Sequence, residues 1–272
     1  MSRWPVLSRT LRELRWQILS YGLGLAIWAF LVVLIFPEVS AQFADIELPD
    51  FYEALFGEQI SDFANPRVFI ALEYFSWVPV VVAVYAVVAS TGTLAGEESR
   101  GTADFLFAQP VSRRRFYIEK LLGWLVGAVA ILLLTNLGFL VGLPLIDVGD
   151  ELSLLDLVGA SLLTVPLLMF FATAGLLLGA VAPSRGTAAA ILTVVVVVGY
   201  IFASFAQLTP VTEGLRYLSP FYYAGLTDVL TAGVDWWHQA LLLGASALLG
   251  SLGLLAFERR DIGVEGWQLW RR

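Results

Sequence analysis

Six long apolar stretches constrain the fold of this chain more than any other feature of its sequence. None of them contains Asp, Glu, Lys or Arg. A helix that crosses the hydrocarbon core of a bilayer, about 30 Å thick, needs about 20 apolar residues. The sequence therefore predicts an all-α membrane protein in which residues 1–272 form a single transmembrane domain. The predicted spans are residues 17–36, 74–95, 121–143, 157–182, 187–206 and 239–257.

The composition agrees with this reading and removes several classes of site. Hydrophobic residues make up 58% of the chain and charged residues only 14%, whereas a soluble domain has about 25% charged residues. There is no cysteine and one histidine, His238, so disulfides, thiolate metal sites and histidine-rich metal sites are excluded. The sequence also lacks a glycine-rich phosphate loop with its lysine, and we expect no ATP site of that kind in this chain.

Lysine and arginine are distributed unevenly between the two sides of the predicted bundle. Fourteen of the 16 basic residues fall in the N-terminal segment, the segment between spans 2 and 3, the turn between spans 4 and 5, and the C-terminal tail. The other two, Arg67 and Arg216, lie in the alternate segments. Because cytoplasmic segments carry the excess of basic residues, the sequence predicts that both termini are cytoplasmic.

The segments predicted to lie outside are acidic. Surface solvation explains such residues, and attraction of cations is the alternative interpretation. The acidic residues of the first two outer segments are Glu38, Asp45, Glu47, Asp50, Glu53, Glu58, Asp62, Asp147, Asp150, Glu151 and Asp156.

Glycines recur at a spacing of four in two predicted spans, as Gly123 with Gly127 and Gly175 with Gly179. Pairs of this kind allow helix backbones to approach closely in lipid. We therefore expect spans 3 and 4 to pack tightly against their neighbours.

Pro79 and Pro166 lie inside spans 2 and 4, where each removes a backbone hydrogen bond and permits a kink. Asn136 is the most polar residue of span 3, and we expect it to form a helix–helix hydrogen bond.

The apolar spans offer no titratable group of the kind that ion-driven carriers use. A stand-alone carrier or channel, and a membrane-embedded enzyme or scaffold, remain as alternatives to a permease driven by a partner.

The N-terminal segment has the pattern of an amphipathic helix. Apolar residues recur at helical spacing, with arginines between them, which is typical of a helix lying in the inner membrane interface. The residues of this predicted interface helix are Leu7, Leu11, Arg12, Leu14, Arg15 and Ile18.

The segment between spans 2 and 3 carries a more specific pattern. It reads Glu97-Glu98-Ser99-Arg100-Gly101-Thr102, then Asp104-Phe105-Leu106, then Gln109-Pro110-Val111-Ser112-Arg113, with Lys120 further on. Thr102 can cap a short helix that ends before Pro110, and Ser112 can cap the helix of span 3. This segment closely resembles the loop between spans 2 and 3 of the type-2 ABC exporter permeases. The tail with Arg259, Arg260 and Asp261 also resembles the end of that family.

The resemblance implies a permease subunit of an ATP-binding cassette exporter. Residues 101–109 would form the coupling helix, seated on a separate ATPase subunit that binds ATP and Mg²⁺, so that this chain needs no cofactor and has no catalytic residues or metal ligands of its own. A second permease subunit would complete the exporter as a homodimer in the cell membrane. Residues 212–230 would form short helices dipping into the outer leaflet. The residues implied in ATPase coupling are Glu97, Glu98, Arg100, Gly101, Thr102, Asp104, Phe105, Leu106, Gln109, Pro110, Ser112 and Arg113.

Overall fold

The computed structural model describes residues 4–43, 64–91, 112–146, 152–205 and 211–259. Within these ranges the chain forms helices and turns, without β-strands. Six helical segments in this part of the chain are long and apolar enough to cross a membrane. The predicted all-α membrane fold with six spans is therefore confirmed.

The described ranges contain nine α-helices, of which eight build the six spans. Span 1 is α1 (Pro5–Phe43); span 2 combines α2 (Pro66–Ile70) with α3 (Val78–Thr91); span 3 is α4 (Arg113–Gly142); span 4 combines α5 (Leu154–Leu162) with α6 (Val165–Val181); span 5 is α7 (Arg185–Phe205); α8 (Pro220–Ala224) is a short connecting helix; and span 6 is α9 (Trp236–Arg259). Each of the six spans begins before its predicted first residue, whereas spans 4 and 5 end one residue before their predicted ends.

Helix α1 differs from the expectation of an interface helix followed by a separate span. Its 39 residues form one helix without a break, which at 1.5 Å per residue is about 58 Å long. The hydrocarbon core accounts for only about 30 Å of that length. The segment from Leu7 to Ile18 is thus the first part of the span 1 helix, not an element of its own.

Spans 2 and 4 are interrupted next to the two prolines that the sequence singles out. In span 2, a π-helical turn at Ala71–Phe75 and a turn at Ser76 and Trp77 precede α3, whose second residue is Pro79. In span 4, a turn at Leu163 and Thr164 separates α5 from α6, whose second residue is Pro166. Proline cannot donate the helical hydrogen bond to the preceding turn, so the break falls just before it. The predicted kinks are confirmed as interruptions of both helices.

Local polar side chains set where several helices begin. Asn65 accepts a hydrogen bond from the Arg67 amide at the start of α2, and Ser112 accepts one from the Arg115 amide at the start of α4. Ser153 and Asp156 form a reciprocal capping box at the start of α5. These side chains satisfy amide groups that have no partner within the helix. The predicted capping role of Ser112 is confirmed.

Helices α1 and α4 run in parallel and pack along most of their length. A Cβ atom at Gly123 would lie 2.8 Å from the Thr10 methyl group, and one at Gly142 would lie 3.0 Å from a Val33 methyl group. At Gly138 a Cβ atom would overlap the Ala26 carbonyl oxygen. Glycine at these positions lets the two backbones touch.

A second parallel pair joins spans 4 and 6. A Cβ atom at Gly253 of α9 would lie 3.2 Å from the Leu177 backbone of α6, and one at Gly250 would lie 3.3 Å from the Thr173 methyl group. On the other side of α6, Gly175 faces the Ser90 side chain of α3 so closely that no Cβ atom would fit. The predicted close packing through Gly175 is confirmed.

Short helices connect spans 5 and 6, as the resemblance implies. A 3₁₀ turn at Glu213–Leu218 leads into α8. Ser219 is fully buried, and its hydroxyl donates to the Gly199 carbonyl oxygen of α7 at 2.6 Å. Helix α8 ends at Gly225, whose φ of 54° suits a residue without a side chain. A hydrogen bond therefore holds the start of α8 to span 5.

Candidate functional site

One end of the bundle gathers the starts of α1 and α4 and the ends of α6 and α9. We call it the basic end, defined by residues 4–15, 112–121, 176–186 and 250–259, because most of the arginines lie here. The opposite end, which holds residues 64–73, 152–157 and 211–238, is called the acidic end. The charge distribution of the sequence predicts that the basic end is cytoplasmic.

The predicted ATPase-coupling segment adjoins the basic end. Its residues from Glu97 to Pro110 lie outside the described residues, and their predicted role stays a prediction. Ser112 and Arg113 are described and begin α4. Arg113 donates a hydrogen bond to the Glu258 carbonyl oxygen of α9 at 3.1 Å. The structure thus places the entry into α4 directly beside the end of span 6.

The predicted interface segment packs one face on the protein. Val6, Thr10 and Leu14, spaced four apart, are buried, whereas Arg12 and Arg15 are exposed. Leu7, Leu11 and Ile18 are half-buried. The apolar face therefore lies against α4, and the arginines remain outside, as the amphipathic pattern predicts.

Glu119 of α4 is the most buried charged residue described at the basic end, with no exposed surface. Its Oε2 atom accepts hydrogen bonds from the Val6 amide at 2.8 Å and from the Leu7 amide at 3.0 Å. Its Oε1 atom accepts from the Nε of Arg115 at 2.7 Å. A buried carboxylate is stable only when it is paired and hydrogen-bonded, and here both oxygens have partners.

A second ionic contact links the same two helices. The Lys120 ammonium lies 3.4 Å from a Glu13 carboxylate oxygen, and Lys120 is itself buried. Glu13 also pairs with Arg9, one turn away on α1, at 2.7 Å. Glu13 and Lys120 therefore extend the link between α1 and α4 toward the membrane.

A small apolar cluster unites four helices at the basic end. Phe257 of α9 packs against the rings of Phe116 and Tyr117, and the Tyr117 hydroxyl donates to the Gly250 carbonyl oxygen at 3.0 Å. The buried members are Val6, Phe116, Tyr117, Leu176, Ala180 and Phe257. In the C-terminal motif, Arg259 ends α9, while Arg260 and Asp261 lie outside the described residues.

The middle of the bundle is apolar. Charged side chains of the described spans lie in their outer turns, such as Glu73 in span 2 and Asp156 in span 4. A cavity of about 20 Å³ lies between α3, α4 and α6, and it is lined by apolar side chains and by Tyr85. This volume is close to that of a single water molecule and too small for a drug-sized compound.

Asn136 differs from its predicted role as a helix–helix hydrogen bonder. Its amide nitrogen donates to the Leu132 carbonyl oxygen of its own helix at 2.7 Å. The side-chain oxygen of Asn136 has no hydrogen-bond partner in the described residues, and neither do the hydroxyls of Tyr85 and Thr164. Among the described residues, no three His, Cys, Asp or Glu side chains are placed to hold a metal ion.

The acidic end holds a cluster of tyrosines around one arginine. The Arg216 guanidinium lies over the rings of Tyr217 and Tyr222, at 5.0 and 5.4 Å, and 3.1 Å from a Glu213 carboxylate oxygen. The hydrogen bond from Arg216 to the Tyr217 hydroxyl raises the pKa of the guanidinium. His238 packs between Tyr222 and Tyr223. Aromatic rings of this kind are typical of a membrane–water interface.

Glu13, Glu119 and Gly138 belong to none of the sites predicted from the sequence. Gly138 and Gly142 share the spacing of four that marks the other glycine pairs, so their close packing could have been predicted from the sequence. Glu119 carries no local signal, because its backbone partners on α1 are more than a hundred residues away.

Most of the chain is similar to a known family of membrane permeases. A family model described as "Multidrug efflux system permease Rv1217c, C-terminal domain" matches residues 7–258. The search among curated proteins finds no match. The family match covers all six spans and includes residues from each of the four segments that form the basic end. The chain therefore belongs to the family of the multidrug efflux system permease Rv1217c, C-terminal domain, and is a multi-pass membrane permease.

Proposed function

We propose that this chain is the permease subunit of an ATP-binding cassette exporter. In this proposal a separate ATPase subunit binds ATP and Mg²⁺, and its hydrolysis drives export of hydrophobic compounds through the permease. The main support is the distribution of charge along the spans. The predicted spans at residues 17–36, 74–95 and 121–143 contain no Asp, Glu, Lys, Arg or His, which favours an energy source outside the membrane.

The substrate class follows from the same apolar interior and from the family. The family's namesake is described as a multidrug efflux permease, and we extend that description to this chain as part of the proposal.

The partner arrangement rests on the segment that adjoins the basic end. Residues 101–109 would seat on the ATPase, and the exporter would contain two copies of this chain in the cell membrane with both termini cytoplasmic. The resemblance of Gly101-Thr102 and Pro110-Val111-Ser112-Arg113 to the type-2 ABC exporter permeases supports this arrangement. The position of Ser112 and Arg113 at the start of α4 gives that segment direct access to span 3.

Deletion of residues 101–109 tests the proposal. We expect the variant to insert in the membrane but to lose the co-purifying ATPase in an affinity pull-down. The matched control deletes residues 45–53, nine residues of a predicted outer segment, and should retain the ATPase. Recovery of the ATPase at the wild-type level with the first deletion would refute the coupling assignment.

A further inference from the structure

Glu119 links two helices that are far apart in the sequence. Helix α1 begins at Pro5, and the first amides of an α-helix have no partner within it. A residue just before the helix usually satisfies them. Here the Glu119 carboxylate of α4 accepts from the Val6 and Leu7 amides, at 2.8 and 3.0 Å.

The electrostatics of this contact favour a fixed geometry. The N-terminus of a helix carries partial positive charge, which attracts a carboxylate. Arg115 holds the second carboxylate oxygen at 2.7 Å from within α4. Because Glu119 has no exposed surface, water does not replace these partners at low cost. The start of α1 therefore moves with the first turns of α4.

The same turns of α4 receive the predicted coupling segment. Ser112 caps α4, and Glu119 follows within two turns. A displacement that enters α4 at Ser112 reaches Glu119 along a rigid helix. Because α1 and α4 stay in contact as far as Gly142 and Val33, a motion shared at the basic end extends along most of both spans.

We propose that Glu119 is a positioning residue that transmits movement of the coupling segment from α4 to α1. This inference rests on the proposed function, because the movement would originate in the partner ATPase. Without the Glu119 contact, α4 would still receive the displacement but α1 would follow it incompletely. ATP would then be hydrolysed with less export.

A purely structural role predicts a different result. If Glu119 only stabilises the fold, its replacement lowers the amount of assembled exporter, and hydrolysis and export fall in proportion. If Glu119 transmits movement, export per ATP hydrolysed falls while the assembled complex persists. The ratio of the two rates therefore separates the two roles.

The test uses Glu119→Gln and Glu119→Leu in the full chain, purified with its ATPase and reconstituted in liposomes. Glu119→Gln keeps the shape and one acceptor oxygen, whereas Glu119→Leu removes every acceptor. The probes are ethidium and rhodamine 6G. Glu258→Gln is the matched control, because Glu258 is an exposed carboxylate at the same end of the bundle.

We expect dye export per ATP hydrolysed to fall several-fold in Glu119→Leu, because the Val6 and Leu7 amides of α1 lose their acceptor on α4. Glu119→Gln should show a smaller loss, and Glu258→Gln none. An unchanged ratio in Glu119→Leu would overturn the inference while leaving the proposed function intact. Failure of the wild-type chain to bind any ATPase would overturn both.

Discussion

At the basic end, each of two ion pairs has one buried partner, whereas both partners of the main pair at the acidic end are exposed. The Glu119 side chain has no exposed surface and that of Lys120 is 7% exposed, while their partners Arg115 and Glu13 are 47% and 37% exposed. At the acidic end, Arg67 pairs with Asp156 at 3.0 Å, and these side chains are 36% and 39% exposed. Arg67 also donates to the Leu230 carbonyl oxygen at 3.3 Å. Both ends connect distant helices, but only the basic end does so through buried charge.

This difference matters because burial changes the strength of an ionic contact. An exposed ion pair contributes about 0–1 kcal/mol and is screened by salt. Removal of one partner from a buried pair is far more costly, because it leaves polar groups without partners. We therefore interpret the basic end as the part of the bundle in which helices must move together. At the acidic end, the contacts between helices are weaker.

Cysteine labelling gives the largest expected contrast between the two ends. We expect Leu155→Cys, 81% exposed at the start of α5, to react with a membrane-impermeant maleimide added to intact cells. Gly186→Cys, at an exposed position in the first turn of α7, should react only after the membrane is opened. The parent chain, which has no cysteine, is the control. Labelling of position 186 in intact cells would reverse the predicted orientation.

Glu119→Ala tests the strength of the buried contact. The substitution leaves the Val6 and Leu7 amides and the Arg115 guanidinium without their acceptor. We expect the free energy of unfolding to fall by about 2–3 kcal/mol, in the range for hydrogen bonds to charged groups. Thermal unfolding of the purified permease in detergent measures this. A loss no larger than that of an exposed pair would contradict the distinction between the two ends.

Arg67→Ala gives the smallest expected effect. Because the Arg67–Asp156 pair is over a third exposed, we expect a loss of about 0.5–1 kcal/mol, and raising the salt concentration should reduce it. The same unfolding measurement, repeated at low and high salt, provides the comparison. A salt-independent loss above 2 kcal/mol would show that the acidic end depends on this pair as strongly as the basic end depends on Glu119.

Much of the fold could be predicted because its causes are local. Apolar stretches of sufficient length specify the six spans, Ser112 identifies the start of α4, and Pro79 and Pro166 identify the interruptions. The exact ends of the helices could not be predicted in this way. Span 2 is predicted to start at Tyr74, but its helical segment starts at Pro66, where Asn65 supplies the cap.

The candidate site was harder to predict because its contacts join distant parts of the chain. The amphipathic pattern around Leu14 identified a helix with one buried face, but not that this face packs on α4 within a continuous span 1 helix. Glu119 was not identified at all. A capping serine is recognisable from the residues beside it, whereas a cap supplied by another helix depends on tertiary packing.

The most direct test of the account is reconstitution of this permease in liposomes with and without its co-purifying ATPase. We expect ATP hydrolysis and ATP-dependent movement of ethidium or rhodamine 6G only when both proteins are present. The permease alone should neither hydrolyse ATP nor move dye in response to a proton gradient. Dye movement driven by a proton gradient in liposomes that contain only this chain would contradict the account and identify a stand-alone carrier.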